Sequence, residues 1–110
     1  MNIFLPLLIA ISLTVPAKPV VLNNGVFSVN LTYEGAIWIE VYKFPAGTME
    51  DEVCELADYY HAVSVTDGPS VHTEFAGQHG DVIAVLSSND GCETSDGTYE
   101  DFFTANDYED

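Results

Sequence analysis

The chain has 110 residues, of which 18 are Asp or Glu and only two, Lys18 and Lys43, are basic, for a formal net charge of −16 at pH 7. A field of that sign repels phosphate backbones and anionic lipid, both of which attract Lys and Arg, so neither nucleic acid nor membrane is expected as a partner. The chain has no arginine, hence no guanidinium to clamp a phosphoryl group or an oxyanion.

Residues 1–17, MNIFLPLLIAISLTVPA, combine an uncharged start, an apolar run from Ile3 to Val15 and small residues around Pro16. This is the pattern of a secretory signal peptide, with cleavage expected after Ala17. The apolar run is shorter than the roughly 20 residues a membrane span needs. The expected product is a secreted, extracellular protein in which residues 18–110 form a single β-domain with a flexible acidic C-terminal end. A domain of that size buries only about 60 to 65% of its unfolded surface, so a covalent brace matters. Cys54 and Cys92 are the only cysteines, and an oxidising destination makes them natural partners. Two free thiols or an intermolecular bridge are the alternatives.

The segment VFSVNLTY (26–33) alternates, with Phe27, Val29, Leu31 and Tyr33 on one side and Ser28, Asn30 and Thr32 on the other. Period two with β-branched and aromatic residues predicts a half-buried strand. In AIWIEVYKF (36–44), Ile37, Ile39 and Val41 share one side and Trp38, Glu40 and Tyr42 the other. Matching the apolar sides predicts a hairpin through Tyr33, Glu34 and Gly35, with Leu31 opposite Ile37, Val29 opposite Ile39 and Phe27 opposite Val41. Its outer face would present Trp38, Glu40 and Tyr42 as a candidate interaction face, since Trp and Tyr are enriched where interfaces draw binding energy. Asn30-Leu31-Thr32 is an N-glycosylation sequon on the solvent side, with Asn30 the acceptor.

Beyond a loop, residues 50–58 have room for one helical turn. Strands are predicted at HAVSVT (61–66), SVHTEF (70–75) and DVIAVLSS (81–88), and a weak one between Thr98 and Thr104. Short strands punctuated by turns, with no helix of usual length, predict an all-β fold: a small antiparallel Greek-key β-sandwich or barrel braced by one disulfide.

Tyr33-Glu34-Gly35 and Phe75-Ala76-Gly77 are both aromatic-x-Gly corners, and CELADYYHAVSV runs into a strand ahead of the second. In this the chain resembles the Greek-key repeats of βγ-crystallin-like small secreted proteins. The resemblance places Ser64 at the serine that precedes the last strand of a repeat. The chain departs from that pattern where the family has a further aromatic five residues before the corner glycine's aromatic, because Ser28 and Ser70 stand there. The family's calcium signature would fall on Tyr59 to Ser64, where only the final serine matches. NNGVFS (23–28) fails at Phe27 and NDGCET (89–94) at Glu93. An EF-hand loop is also excluded, since its third position from Asp90 is Cys92.

His61, His72 and His79 are scattered, and nothing in their spacing makes a metal site. No nucleophile elbow or phosphate-cradling glycine loop is present. Neither an enzyme nor a resident metal or cofactor is expected. The functional expectation is a secreted acidic effector or virulence-type factor that binds a basic protein of a host or competitor. The alternatives are a calcium-stabilised crystallin-like structural module and an inhibitor of a secreted enzyme that inserts the loop FAGQHGD (75–81).

Overall fold

The computed structural model describes residues 18–92 and 98–109; the leader expected over residues 1–17 and the last two residues of the NDGCET stretch, Glu93 and Thr94, lie outside the described residues. Among the described residues there are seven strands: β1 (Val20–Asn23), β2 (Val26–Thr32), β3 (Trp38–Phe44), β4 (Ser64–Asp67), β5 (Ser70–Ala76), β6 (Val82–Ser87) and β7 (Asp101–Phe103). A 3-10 turn, Glu50–Glu52, runs into the short helix α1 (Val53–Ala57), and a second short helix, α2 (Ala105–Tyr108), closes the chain. The strands form two antiparallel sheets, ordered β1-β2-β5 and β4-β3-β6-β7. The chain leaves the first sheet after β2, makes β3 and β4 on the other, and returns to lay β5 beside β2. The expected all-β Greek-key sandwich is what forms. Such a topology by itself implies no function.

The predicted β2–β3 hairpin does not exist. Register parity allowed it, but both strands carry an apolar side, and stacking those sides across a sandwich buries both at once. Phe27, Val29, Ile39 and Val41 accordingly share one fully buried core with Val71, Ile83 and Val85. Leu31 lies opposite Val71 and Phe27 opposite Phe75, both on β5. Ile37, expected inside, is 72% exposed, because the chain is turning between sheets there.

The unpredicted β1 pairs with β2 through a two-residue turn at Asn24 (φ 53°) and Gly25 (φ 79°). Two consecutive left-handed residues match the right-handed twist of the strands they join, which is why Asn-Gly serves such turns.

Strand β6 is buried on both faces. Alternate residues of β6 serve two cores: Ile83 and Val85 face the other sheet, while Val82, Ala84 and Leu86 join Tyr42, Phe44 and Val53 in a second cluster. All six residues of β6 are buried. Helix α1 supplies Val53, Leu56 and Ala57 to that outer cluster, and the Cys54–Cys92 disulfide fastens α1 to the chain leaving β6.

The acidic C-terminal stretch contains β7 and α2. Tyr108 of α2 is buried, stands edge-on to Phe27 at 4.9 Å and caps one end of the sandwich. An added Cβ at Gly77 would lie 2.3 Å from the Phe27 ring. Glycine is thus required at that corner for close approach and not for backbone conformation.

Candidate functional site

The outer face of β3 holds Trp38, Glu40 and Tyr42, as the alternation predicts, but α1 lies over much of it. Tyr42 is 7% exposed and stacks on Phe44 at 5.7 Å, and Trp38 packs against the same cluster. Glu40 remains half-exposed and accepts the Tyr42 hydroxyl proton at 3.1 Å. These three residues therefore face mainly the protein's own helix.

The outer face of the β1-β2-β5 sheet stays open and is a ladder of polar cross-strand pairs. Thr32 meets Ser70 hydroxyl to hydroxyl at 2.9 Å, Asn30 Oδ1 lies 2.6 Å from His72 Nδ1, and Ser28 donates to Glu74 Oε2 at 3.4 Å. Four of these residues and Thr73 line a shallow depression of about 490 Å³. The sequon residue Asn30 is exposed in its centre.

The three histidines stay apart. His72 belongs to the ladder, His79 makes a 3.1 Å contact with Glu109 at the α2 end, and His61 is exposed in the loop before β4. Among the described residues no three His, Cys, Asp or Glu side chains converge in the manner a metal ion requires. The stretch FAGQHGD is a short turn held from three directions. Gly77 N–H donates to Gly25 O, Gln78 N–H to the Asp81 carboxylate, and Gly80 N–H to the Tyr108 hydroxyl.

Compared with protein-family models, curated proteins and solved structures, the chain matches none.

The most charged surface surrounds α1. Glu50, Asp51, Glu55 and Asp58 are exposed there beside Met49 and Tyr59, the latter 78% exposed. Both lysines have partners elsewhere. Lys43 Nζ bonds Ala76 O at 2.9 Å and lies 4.0 Å from Asp81, while Lys18 Nζ bonds Glu109 O. Sequence reading identified the acids but not the exposed apolar residues among them. Their exposure depends on which side chains the sheet and α1 leave uncovered, a tertiary outcome.

The acid surplus also marks the tyrosines. Burial, then the Glu40 charge, pushes the Tyr42 phenol up to about 12. Burial raises Tyr33 further, aided by its hydrogen bond to Asp101. Tyr99 is raised by burial and Glu50, and Tyr108 by burial ahead of the Asp81 and Glu109 charges. A phenol whose folded pKa exceeds its unfolded value of about 10 favours the fold while neutral. That stabilisation is complete below about pH 10 and is lost as pH rises through the folded values. Denaturant titration between about pH 9 and 12 is expected to show the wild type losing stability, with roughly 2 kcal/mol of the loss absent in Tyr42→Phe. Equal losses in the two proteins would remove Tyr42 as a cause.

Among the described residues no helix is long and apolar enough to cross a membrane. The closed disulfide, with no free cysteine, is compatible with an extracellular location.

Proposed function

We propose that the protein is a small secreted effector-type factor that acts by binding a basic protein of a host or competitor, and not by catalysis. The observation that carries this is the α1 surface: exposed carboxylates interspersed with Met49 and Tyr59. Carboxylates steer a cationic partner into encounter, and aromatic side chains supply contact area once it arrives. Secretion is the part of the reading that rests on residues 1–17.

The test is capture of partners on the immobilised, oxidised protein at about 50 mM and about 500 mM salt, a range over which the Debye length shrinks about threefold. Partners are expected to be basic, to be released at the higher salt, and to be lost by the variant Glu50→Lys/Asp51→Lys/Glu55→Lys/Asp58→Lys. Capture that is indifferent to both salt and variant would sink the electrostatic basis of the proposal.

A further inference from the structure

We infer that the open edge of β4 is a docking edge, at which an extended basic segment of the partner adds to the β4-β3-β6-β7 sheet as a fifth strand. The inference rests on the basic-partner reading and adds to it a place and a mode of binding.

The pattern of β4 is inverted. Ser64 and Thr66 lie opposite Val41 and Ile39, whose side chains are fully buried between the sheets, so the polar residues of β4 occupy its inward side. Val65, opposite Glu40, faces outward and is 66% exposed, and Val63 just before the strand is 39% exposed. A half-buried strand ordinarily turns its β-branched aliphatic residues inward and its hydroxyls to water. Strand β5 shows that ordinary pattern, with Val71 buried and His72 and Glu74 exposed. The fold itself therefore does not use the side of β4 that its sequence makes apolar.

Among the described residues β4 pairs with β3 alone, so the backbone of the same strand is unpaired on one side there. Gly68 N–H donates to Ile37 O at 2.6 Å, and in the antiparallel register this turns the Ser64 and Thr66 groups toward β3 and the Val65 and Asp67 groups toward the open side. Such a row is a template for an incoming strand, and strand addition of this kind is a recurring mode of peptide recognition. The edge of β5 differs here too, because Lys43 caps its last carbonyl, Ala76 O, at 2.9 Å.

Charge selects the occupant. Glu40 neighbours Val65, Asp67 ends the strand, and neither β4 nor α1 contains a lysine. Two copies pairing edge to edge would bring together two chains of −16 each, with these acids at the joint. The edge is thus guarded against itself and open to a segment of opposite sign. An apolar residue of that segment would lie beside Val65, and Lys or Arg would reach Glu40 and Asp67.

The probe is a short synthetic peptide of alternating Lys and Val, titrated into isotope-labelled, oxidised protein while amide shifts and hydrogen exchange are followed. The Val65 and Asp67 amides are expected to gain about tenfold protection from exchange. Binding is expected to fall by about tenfold or more for Val65→Lys, whose thermal midpoint should stay at the wild-type value because the side chain is exposed. It should fall similarly for a peptide N-methylated at alternate residues, which keeps its charge and loses its donors. Equal binding of the N-methylated peptide, equal binding of a Glu/Val peptide, dimerisation of the protein through β4, or no binding at all would each overturn the edge as a basic-strand acceptor. Shifts confined to the α1 acids would overturn it as well while leaving the basic-partner reading intact.

Discussion

Reduction of the Cys54–Cys92 bond is expected to lower the free energy of unfolding by about 4 kcal/mol. The bond joins residues 38 apart, and in the chain-entropy account closing a loop of that length removes about that much freedom from the unfolded chain. Folded domains are stable by only about 5 to 15 kcal/mol, so the loss takes a large share of what this small protein has. The structure adds a local consequence. The disulfide holds α1 over the outer cluster, where Val53 packs with Tyr42, Phe44 and Leu86, and the partly buried Trp38 adjoins them. Trp38 is the only tryptophan, so its emission reports that cluster. Under reducing conditions the emission is expected to shift to the red at a lower denaturant concentration than the loss of sheet signal, because α1 loosens before the inter-sheet core opens. Urea titrations of the oxidised protein and of Cys54→Ala/Cys92→Ala, read by fluorescence and by circular dichroism, measure both effects. Coincident transitions with a midpoint matching the oxidised protein would show that neither the loop nor α1 depends on the bond.

Strands were legible where one face is buried. In β2 the alternation of Phe27, Val29 and Leu31 with Ser28, Asn30 and Thr32 survives intact, polar ladder included. β6 reads as an unbroken apolar run because it serves a core on each face, and a run without period carries no direction. The hairpin error came from the same ambiguity at longer range. Two amphipathic strands can bury their apolar sides as neighbours or as opposing layers, and local pattern does not choose between them. The β1–β2 turn was legible and missed, since Asn24-Gly25 between VVLN and VFSV carries the strongest short-range hairpin signal.

The candidate surface was legible only in part. Acids at residues 50–58 announce a charged face, and the spacing of Trp38 and Tyr42 announces a shared side. Whether that side is open depends on where α1 docks, which the disulfide partly determines. The inversion of β4 was hidden for a related reason. Valine and hydroxyl residues alternate there, but only the register against Val41 and Ile39 reveals that the hydroxyls are on the inside.

Tyr108→Ala is expected to destabilise the fold by about 3 to 5 kcal/mol, the range for removing a large buried aromatic side chain. Tyr108 is 3% exposed and closes one end of the inter-sheet core against Phe27, which is itself fully buried. Phe27 cannot follow a retreating neighbour freely, because it is held against Phe75 at 5.6 Å and against the bare backbone of Gly77. A cavity therefore remains, and its cost adds to the lost burial. The hydroxyl contributes separately: it donates to Asp81 O at 2.6 Å and accepts the Gly80 N–H at 3.0 Å, tying α2 to the turn before β6. Tyr108→Phe keeps the ring and removes those bonds, so it should cost about 1 to 2 kcal/mol. The ratio of the two losses separates packing from polar anchoring, and urea denaturation of the oxidised proteins measures both. If Tyr108→Ala cost no more than Tyr108→Phe, the ring would contribute nothing beyond its hydroxyl and the closure of the sandwich by α2 would be wrong. If it costs the full amount, a residue two positions from the end of the sequence belongs to the core as firmly as those in the strands.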